Sequence, residues 1–280
     1  MMAPMDAKAA DWTLLDCGDE RRLDRFAERI VDRPAPSAPW PKRAPSSAWA
    51  EADLRFDRET GWSGRREPWT IAIDGVTLEL RPTDAGQLGF FPEQLRFWPW
   101  LRSALAGRSE PSILSLFAHT GASTLALVRA GARVTHVDSS RPAIAWARRN
   151  AELSGLGERP IRWIVDDAVL FAERESRRGR RYDGFLIDPP SFGHGPRGQR
   201  WELADMLPRL LAACAAVAAE DPFVLLTAHT TGLVADDLRH VLLDAFDPSP
   251  GVVLDVGPIE LTAASGALLP LGVAARMIAR

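Results

Sequence analysis

Four apolar runs in the second part of this chain end in residues that can do chemistry. Phe185, Leu186 and Ile187 run into Asp188, then Pro189, Pro190, Ser191 and Phe192. Proline fixes φ and removes a backbone donor, so this run stops in a rigid turn behind a carboxylate. An earlier run, "LSLF", ends in Phe117 and leads into His119, Thr120 and Gly121. "VTHV" ends in Asp138 and Ser139, at roughly the 20-residue separation from a first tight turn at which an acidic residue reaches a ribose diol. "WIV" ends in Asp166, Asp167 and Ala168, where a carboxylate can accept a hydrogen bond from an adenine amino group. Each carboxylate alone also suits the N-cap of a following helix. Four successive runs ending this way point to a ligand.

A dinucleotide would need Gly-x-Gly-x-x-Gly after the first run, to bring backbone against a pyrophosphate. Only Gly121 is present, and His119 and Thr120 stand where glycines would. The set fits a cofactor with an adenosine and no phosphates: ribose at Asp138, adenine at Asp167, a charged amino-acid portion at the Gly121 turn. That describes S-adenosylmethionine.

The elements that must position these residues alternate. Apolar runs predict strands over 113–117, 133–137, 161–165, 184–187, 223–227, 252–256 and 273–278, with helices starting near Ala122, Pro142, Ala168, Glu202 and Val234. A further helix starts at Pro92, with Leu95, Trp98, Leu101 and Leu105 at helical spacing. Continuous apolar strands belong to a parallel sheet covered on both faces. The expected fold class is therefore α/β, a doubly wound, Rossmann-like seven-stranded sheet over residues 86–280, with its ligand at the carboxyl ends of the strands.

Residues 1–85 differ, and read as a small α+β or β-rich appendage. "GDERRLDRFAERIV" puts Leu23, Phe26 and Ile30 at helical spacing and predicts a helix. The proline-rich "RPAPSAPWPKRAPSS" predicts an extended connector. In "WTIAIDGVTLELRP" two alternating runs flank Asp74-Gly75, a hairpin. Trp12, Trp40, Trp49, Trp62 and Trp69 fall here, suited to packing or to stacking on a base.

With 46% apolar residues a real core is available, and a net charge of −3 gives no global signal for nucleic acid or an acidic membrane. Only Lys8 and Lys42 are lysines among 34 basic residues. Two basic groups stand out: Arg174, Arg177, Arg178, Arg180 and Arg181, expected in a solvated loop at the amino edge of the sheet, and Arg197 with Arg200, which follow the Asp188 turn and suit an RNA backbone. Cys17 and Cys214 form neither a disulfide framework nor a metal site. The start "MMAPMDAKAADW" lacks the apolar core of a signal peptide, and "LLAACAAVAA" is too short to span a bilayer. The expectation is a cytoplasmic protein with no membrane partner. No feature sets an oligomeric state.

The stretches "DWTLLDCGDERRLDRFAERIVDRP", "GFFPEQLRFW", "LFAHTGASTLALVRAGARVTHVDSSRPAIAWARRNAELSGL", "DDAVLFAE", "DGFLIDPPSFG" and "LPLGVAARMIAR" run in order along the chain. With them the chain resembles the class I S-adenosylmethionine-dependent methyltransferases of the 23S rRNA type, which include cytosine-C5 and guanine-N7 enzymes. The resemblance implies that Phe117 to Gly121 wrap the methionine part of the cofactor, that Asp138 with Ser139 holds the ribose, and that Asp166, Asp167 and Ala168 meet the adenine. It places Gln94 over the cofactor and the turn formed by Asp188, Pro189, Pro190 and Phe192 against the substrate base. There the Asp188 carboxylate and Pro189 carbonyl accept hydrogen bonds from an N–H of a planar ring while Phe192 stacks on it. The alternative use of Phe192 is core packing.

Cytosine-C5 chemistry needs a thiolate that adds to the ring. The places where the resemblance would put it read Ser191 and Ala228-His229, so a nitrogen acceptor is expected. His119, His194 and His229 fall at the expected active edge, while His136 and His240 look structural. The expected function is methylation of a base nitrogen in 23S rRNA or a ribosomal precursor, with the appendage placing the RNA. Methylation of a small molecule or protein side chain, and a non-catalytic cofactor-binding module in ribosome assembly, remain the alternatives.

Overall fold

The computed structural model describes residues 11–194, 200–247 and 251–279. It falls into two compact units, the first holding the chain up to Glu93 with Glu152–Ser154 and Glu260–Leu271, the second holding the rest.

In the first unit, β1 (Trp12–Gly18), β2 (Arg21–Phe26), β3 (Arg29–Pro34), β4 (Leu54–Asp57) and β5 (Gly61–Gly64) form one sheet in chain order, with a short helix α1 (Ser46–Ala50) between β3 and β4. β6 (Trp69–Ile73) and β7 (Val76–Leu80) form the expected hairpin, with Asp74 and Gly75 both at positive φ. The helix expected from Leu23, Phe26 and Ile30 is instead the β2–β3 hairpin. The helical period counted only apolar residues, whereas buried charges take part in the packing. Asp24 accepts from Arg22 (2.7 Å) and Arg33 (2.8 Å), all three buried. Burial alone would raise the Asp24 carboxyl, but the two guanidiniums outweigh it and hold the carboxyl below its ordinary range. Trp49 and Trp62 are buried, and Trp40 donates to the Cys17 carbonyl, so these tryptophans pack.

The second unit begins at Gln94, within a 3-10 turn over Pro92–Phe97 where a regular helix was expected, and continues into α2 (Trp98–Leu105). Strands and helices then alternate: β8 (Ser112–Leu116), α3 (Ala122–Arg129), β9 (Arg133–Asp138), α4 (Arg141–Leu153), β10 (Ile161–Val165), α5 (Ala168–Arg177) and β11 (Tyr182–Ile187). A small pair follows, β12 (Phe192–His194) with β13 (Arg200–Glu202), then α6 (Leu203–Ala215), β14 (Ala218–Ala228), α7 (Ala235–Phe246), β15 (Val252–Thr262) and β16 (Leu268–Ala279).

The sheet order is β10-β9-β8-β11-β14-β16-β15, with β8 to β11 and β14 parallel and β16 antiparallel to β14. The chain reverses direction across the sheet between β8 and β11, and a crevice opens at the carboxyl ends beside such a switch point. β8, β9, β11 and β14 are buried because helices cover both faces, which is why their sequences read as continuous apolar runs. β15 and β16 are longer than expected. The far end of this pair, Glu260–Leu271, belongs to the first unit, where Ala264 and Ser265 donate backbone hydrogen bonds to Leu14 and Leu15.

Candidate functional site

The loop after β8 is held in an unusual backbone. Phe117 (φ 55°) and His119 (φ 49°) lie in the left-handed region, as does Gly121 (φ 86°), which caps α3. Non-glycine residues occupy this region at a cost and persist where their surroundings over-determine them. Here Ala118 donates to the Val137 carbonyl (3.1 Å), His119 donates its N–H to Asp138 Oδ2 (2.8 Å), and Asn150 donates to the Thr120 carbonyl (2.9 Å). A Cβ on Gly121 would meet that of Ala147 at 3.1 Å, so glycine suits both the angle and the space.

Asp138 ends β9. Its Oδ1 accepts from the Ser140 N–H (2.8 Å), so one carboxylate ties the β8 loop to the start of α4. A carboxylate offers about four lone-pair sites, and capacity remains for a diol. Asp167 caps α5 through the Leu170 N–H (2.9 Å). Asp166 accepts from the Asp167 N–H (2.9 Å) and pairs with Arg174. The capping use open to these carboxylates is thus real for Asp167, and it leaves the second oxygen of that residue over.

Between these strand ends lies a cleft of about 510 Å³ including its open mouth. Phe117, Val137, Ala168, Pro190 and Trp201 supply apolar walls; Asp138, Asp166 and Asp167 supply carboxylates, with Ser139 and Gly193 also on the lining. Flat apolar walls beside carboxylates suit an adenine and a ribose. No lysine or arginine lines the cleft among the described residues, so a pyrophosphate would face three carboxylates unpaired. The donor set fits S-adenosylmethionine, which supplies a methyl group on a positive sulfonium.

Gln94, His119, Thr120 and Asp188 do not line that cleft. The Asp188 carboxylate gathers Gln94 Nε2 (3.0 Å), the Thr227 hydroxyl (2.5 Å) and His229 Nε2 (3.2 Å). Gln94, expected over a cofactor, is buried and donates to this carboxylate. Trp201 donates to the Pro190 carbonyl (2.6 Å) and packs its ring 4.8 Å from that of Phe117. The Ser191 hydroxyl accepts from Thr230 (2.7 Å). The Pro189 carbonyl accepts from no described residue. Phe192 is 68% exposed, which removes core packing as its use. Thr227 and Trp201 were missed from sequence: Thr227 carries a signal only as the polar end of an apolar run, and Trp201 carries none. Arg200 is exposed in β13, and Arg197 lies outside the described residues.

Burial pushes the His119 imidazole below its ordinary range, although the Asp138 and Asp188 carboxylates pull the other way. His136 is wholly buried, contacts Thr124 Oγ1 through Nδ1 (2.9 Å), and is pushed down to about 3 by burial. Its folded pKa lies below the unfolded value, so its contribution to stability is complete above pH 6.5 and is lost as pH falls toward 3. Denaturant unfolding between pH 6.5 and 5 is expected to fall less steeply for His136→Gln than for wild type. The difference grows from about half a proton at pH 6.5 to nearly one proton, about 1.4 kcal/mol per pH unit, near pH 5. Parallel slopes would contradict this.

No protein-family model matches the chain. It is 32% identical to a SAM-dependent methyltransferase from Agrobacterium tumefaciens, with a TM-score of 0.92, covering 100% of this chain and 95% of that one. The chain belongs to the S-adenosylmethionine-dependent methyltransferases. A Streptococcus mutans protein shares the fold at 14% identity and a TM-score of 0.78, over 98% of this chain and 76% of that one. Ribosomal RNA large subunit methyltransferase I of Pseudoalteromonas translucida is 31% identical over 127 residues, 45% of this chain and 31% of its own. Ribosomal RNA large subunit methyltransferase K/L of Stutzerimonas stutzeri is 34% identical over 128 residues, 45% of this chain and 17% of its own. The chain thus spans less than a third of the length of these two relatives. No described helix is long and apolar enough to cross a membrane.

Proposed function

We propose that this protein methylates a base nitrogen of RNA, 23S rRNA or its precursor, in the cytoplasm, with Asp138 and Asp167 holding the cofactor's adenosine. The observation that carries the nitrogen assignment is the make-up of the turn beyond β11. It presents an exposed phenyl ring, a Pro189 carbonyl that accepts from no described residue and an anchored carboxylate, and no thiol. Cys214 is on the buried face of α6 and Cys17 in the core of the first unit, and burial raises both thiols. The RNA assignment is supported by the names of the curated relatives.

The Gln94 amide and the Thr227 hydroxyl donate to the Asp188 carboxylate, and His229 Nε2 lies 3.2 Å from it, which leaves room for one more donor. An N–H of the acceptor base takes that place, the Pro189 carbonyl takes a second, and Phe192 covers the ring. The base is thereby fixed with its lone pair aimed, and methyl transfer by in-line displacement needs little else from the protein. Where the acceptor is an exocyclic amine, the Asp188 carboxylate receives the single proton it sheds. The first unit helps to place the RNA.

The test is to supply labelled S-adenosylmethionine with total RNA from a deletion strain, protein extract and small-molecule extract, and to digest the RNA to nucleosides. Label on a base nitrogen is the expected result, and the double variant Cys17→Ala, Cys214→Ala is expected to retain it within about threefold, because no thiol takes part. Label in the protein or small-molecule fraction alone would refute the RNA assignment. Label on cytosine C5 that disappears in the double variant would refute the nitrogen assignment.

A further inference from the structure

A second cleft opens at the opposite, amino edge of the same sheet, with a volume of about 860 Å³ including its open mouth. Five of its lining residues are arginines: Arg133, Arg159, Arg162, Arg180 and Arg181. Its one acidic residue, Glu175, is fully buried and already engaged by Arg162 (2.7 Å), Arg178 (2.9 Å) and the Tyr182 hydroxyl (2.8 Å). Arg181 donates to the Arg180 and Ala216 carbonyls. The guanidiniums of Arg133, Arg159 and Arg180 have no ion pair or hydrogen bond with any described residue. In a chain of net charge −3, this is a local excess of positive charge that repels itself until an anion enters.

The geometry points to a binding site for consecutive phosphates of an RNA backbone. Arg159 precedes β10, Arg133 opens β9, and Arg180 precedes β11, with β8 lying between β9 and β11. Four adjacent strand starts at about 5 Å spacing set the cleft along roughly 15 Å of the sheet edge. A single phosphate would meet one end of that row, while a strand laid along it meets all three guanidiniums in turn. Arginine forks onto phosphate oxygens, and such contacts position RNA without reading its sequence. Six residues of β11 separate this edge from Asp188, roughly 20 Å. The cleft therefore takes a different stretch of the substrate from the one carrying the acceptor base. This rests on the RNA reading of the catalytic site. The arginine group before β11, expected in a solvated loop, thus contributes Arg180 and Arg181 to a built cleft, with Arg174 and Arg178 tied to carboxylates.

The experiment compares the wild-type protein with the triple variant Arg133→Gln, Arg159→Gln, Arg180→Gln. The three side chains are exposed and have no partner among the described residues, so an unchanged unfolding midpoint and unchanged S-adenosylmethionine affinity serve as controls. Binding to the RNA fraction that accepts label is measured between 50 and 200 mM salt, alongside methylation. Each lost phosphate contact lowers the slope of log K against log salt by about 0.7–0.9, so the variant is expected to lose about 2 to 3 from the slope. KM for RNA is expected to rise at least tenfold while kcat at saturating RNA stays within about twofold. Wild-type methylation of RNA with an unchanged slope in the variant would overturn the cleft and leave the proposed function standing. A wild-type protein that neither binds nor methylates RNA would overturn both. A nucleoside triphosphate that binds wild type tightly and loses that binding in the variant, with the RNA slope unmoved, would show a small phosphate ligand and overturn the assignment to RNA.

Discussion

Asp138→Ala is expected to weaken S-adenosylmethionine binding by two to three orders of magnitude while the protein stays folded. Two effects combine. A ribose diol would give this carboxylate two charge-assisted hydrogen bonds, each worth about 1.5–3 kcal/mol, and tenfold in affinity corresponds to about 1.4 kcal/mol. The same carboxylate also restrains the β8 loop through the His119 N–H and the start of α4 through the Ser140 N–H. Without it, the left-handed Phe117 and His119 lose one of the contacts that hold them, and the wall they form loosens. Calorimetric titration reads the affinity directly. A variant that binds within threefold of wild type would mean that the ribose sits elsewhere.

The second large effect falls on turnover. Asp188→Asn is expected to lower methyl transfer by about 10²- to 10³-fold, with S-adenosylmethionine affinity changed by less than about tenfold. Asparagine presents one oxygen and one NH₂ where Gln94 and Thr227 both donate, so one of them faces a donor and the side chain must turn. The acceptor N–H loses its partner as well. A misplacement of about 1 Å suffices for a 10²-fold loss. Single-turnover rates at saturating cofactor separate this from binding. A variant that keeps its rate would remove Asp188 from the acceptor site. One whose cofactor affinity collapses along with its rate would assign Asp188 to the cofactor.

The parts of this site legible in the sequence are those written along one strand and its following turn. Asp138, Asp167 and Asp188 each follow an apolar run; for Asp138 and Asp188 the run is a buried parallel strand with a sharp polar end, while the run before Asp167 is the half-exposed edge strand β10. The doubly wound sheet followed from the same runs. The β2–β3 hairpin was not legible, because its inward residues include Arg22, Asp24 and Arg33, whose burial depends on one another and not on apolar spacing. The Gln94–Asp188–Thr227 arrangement joins segments 94 and 39 residues apart in the chain, and nothing local marks either partner. The arginine cleft likewise draws its free guanidiniums from three separate segments, brought together only by the strand order.

The most direct measurement is a crystal structure of the protein with S-adenosylhomocysteine. The ribose hydroxyls are expected on Asp138, the adenine against Ala168 with its amino group at Asp167, and the sulfur facing the turn from Asp188 to Phe192. A cofactor whose ribose makes no contact with Asp138, or whose sulfur faces away from that turn, would contradict the assignment of both the cofactor site and the acceptor site.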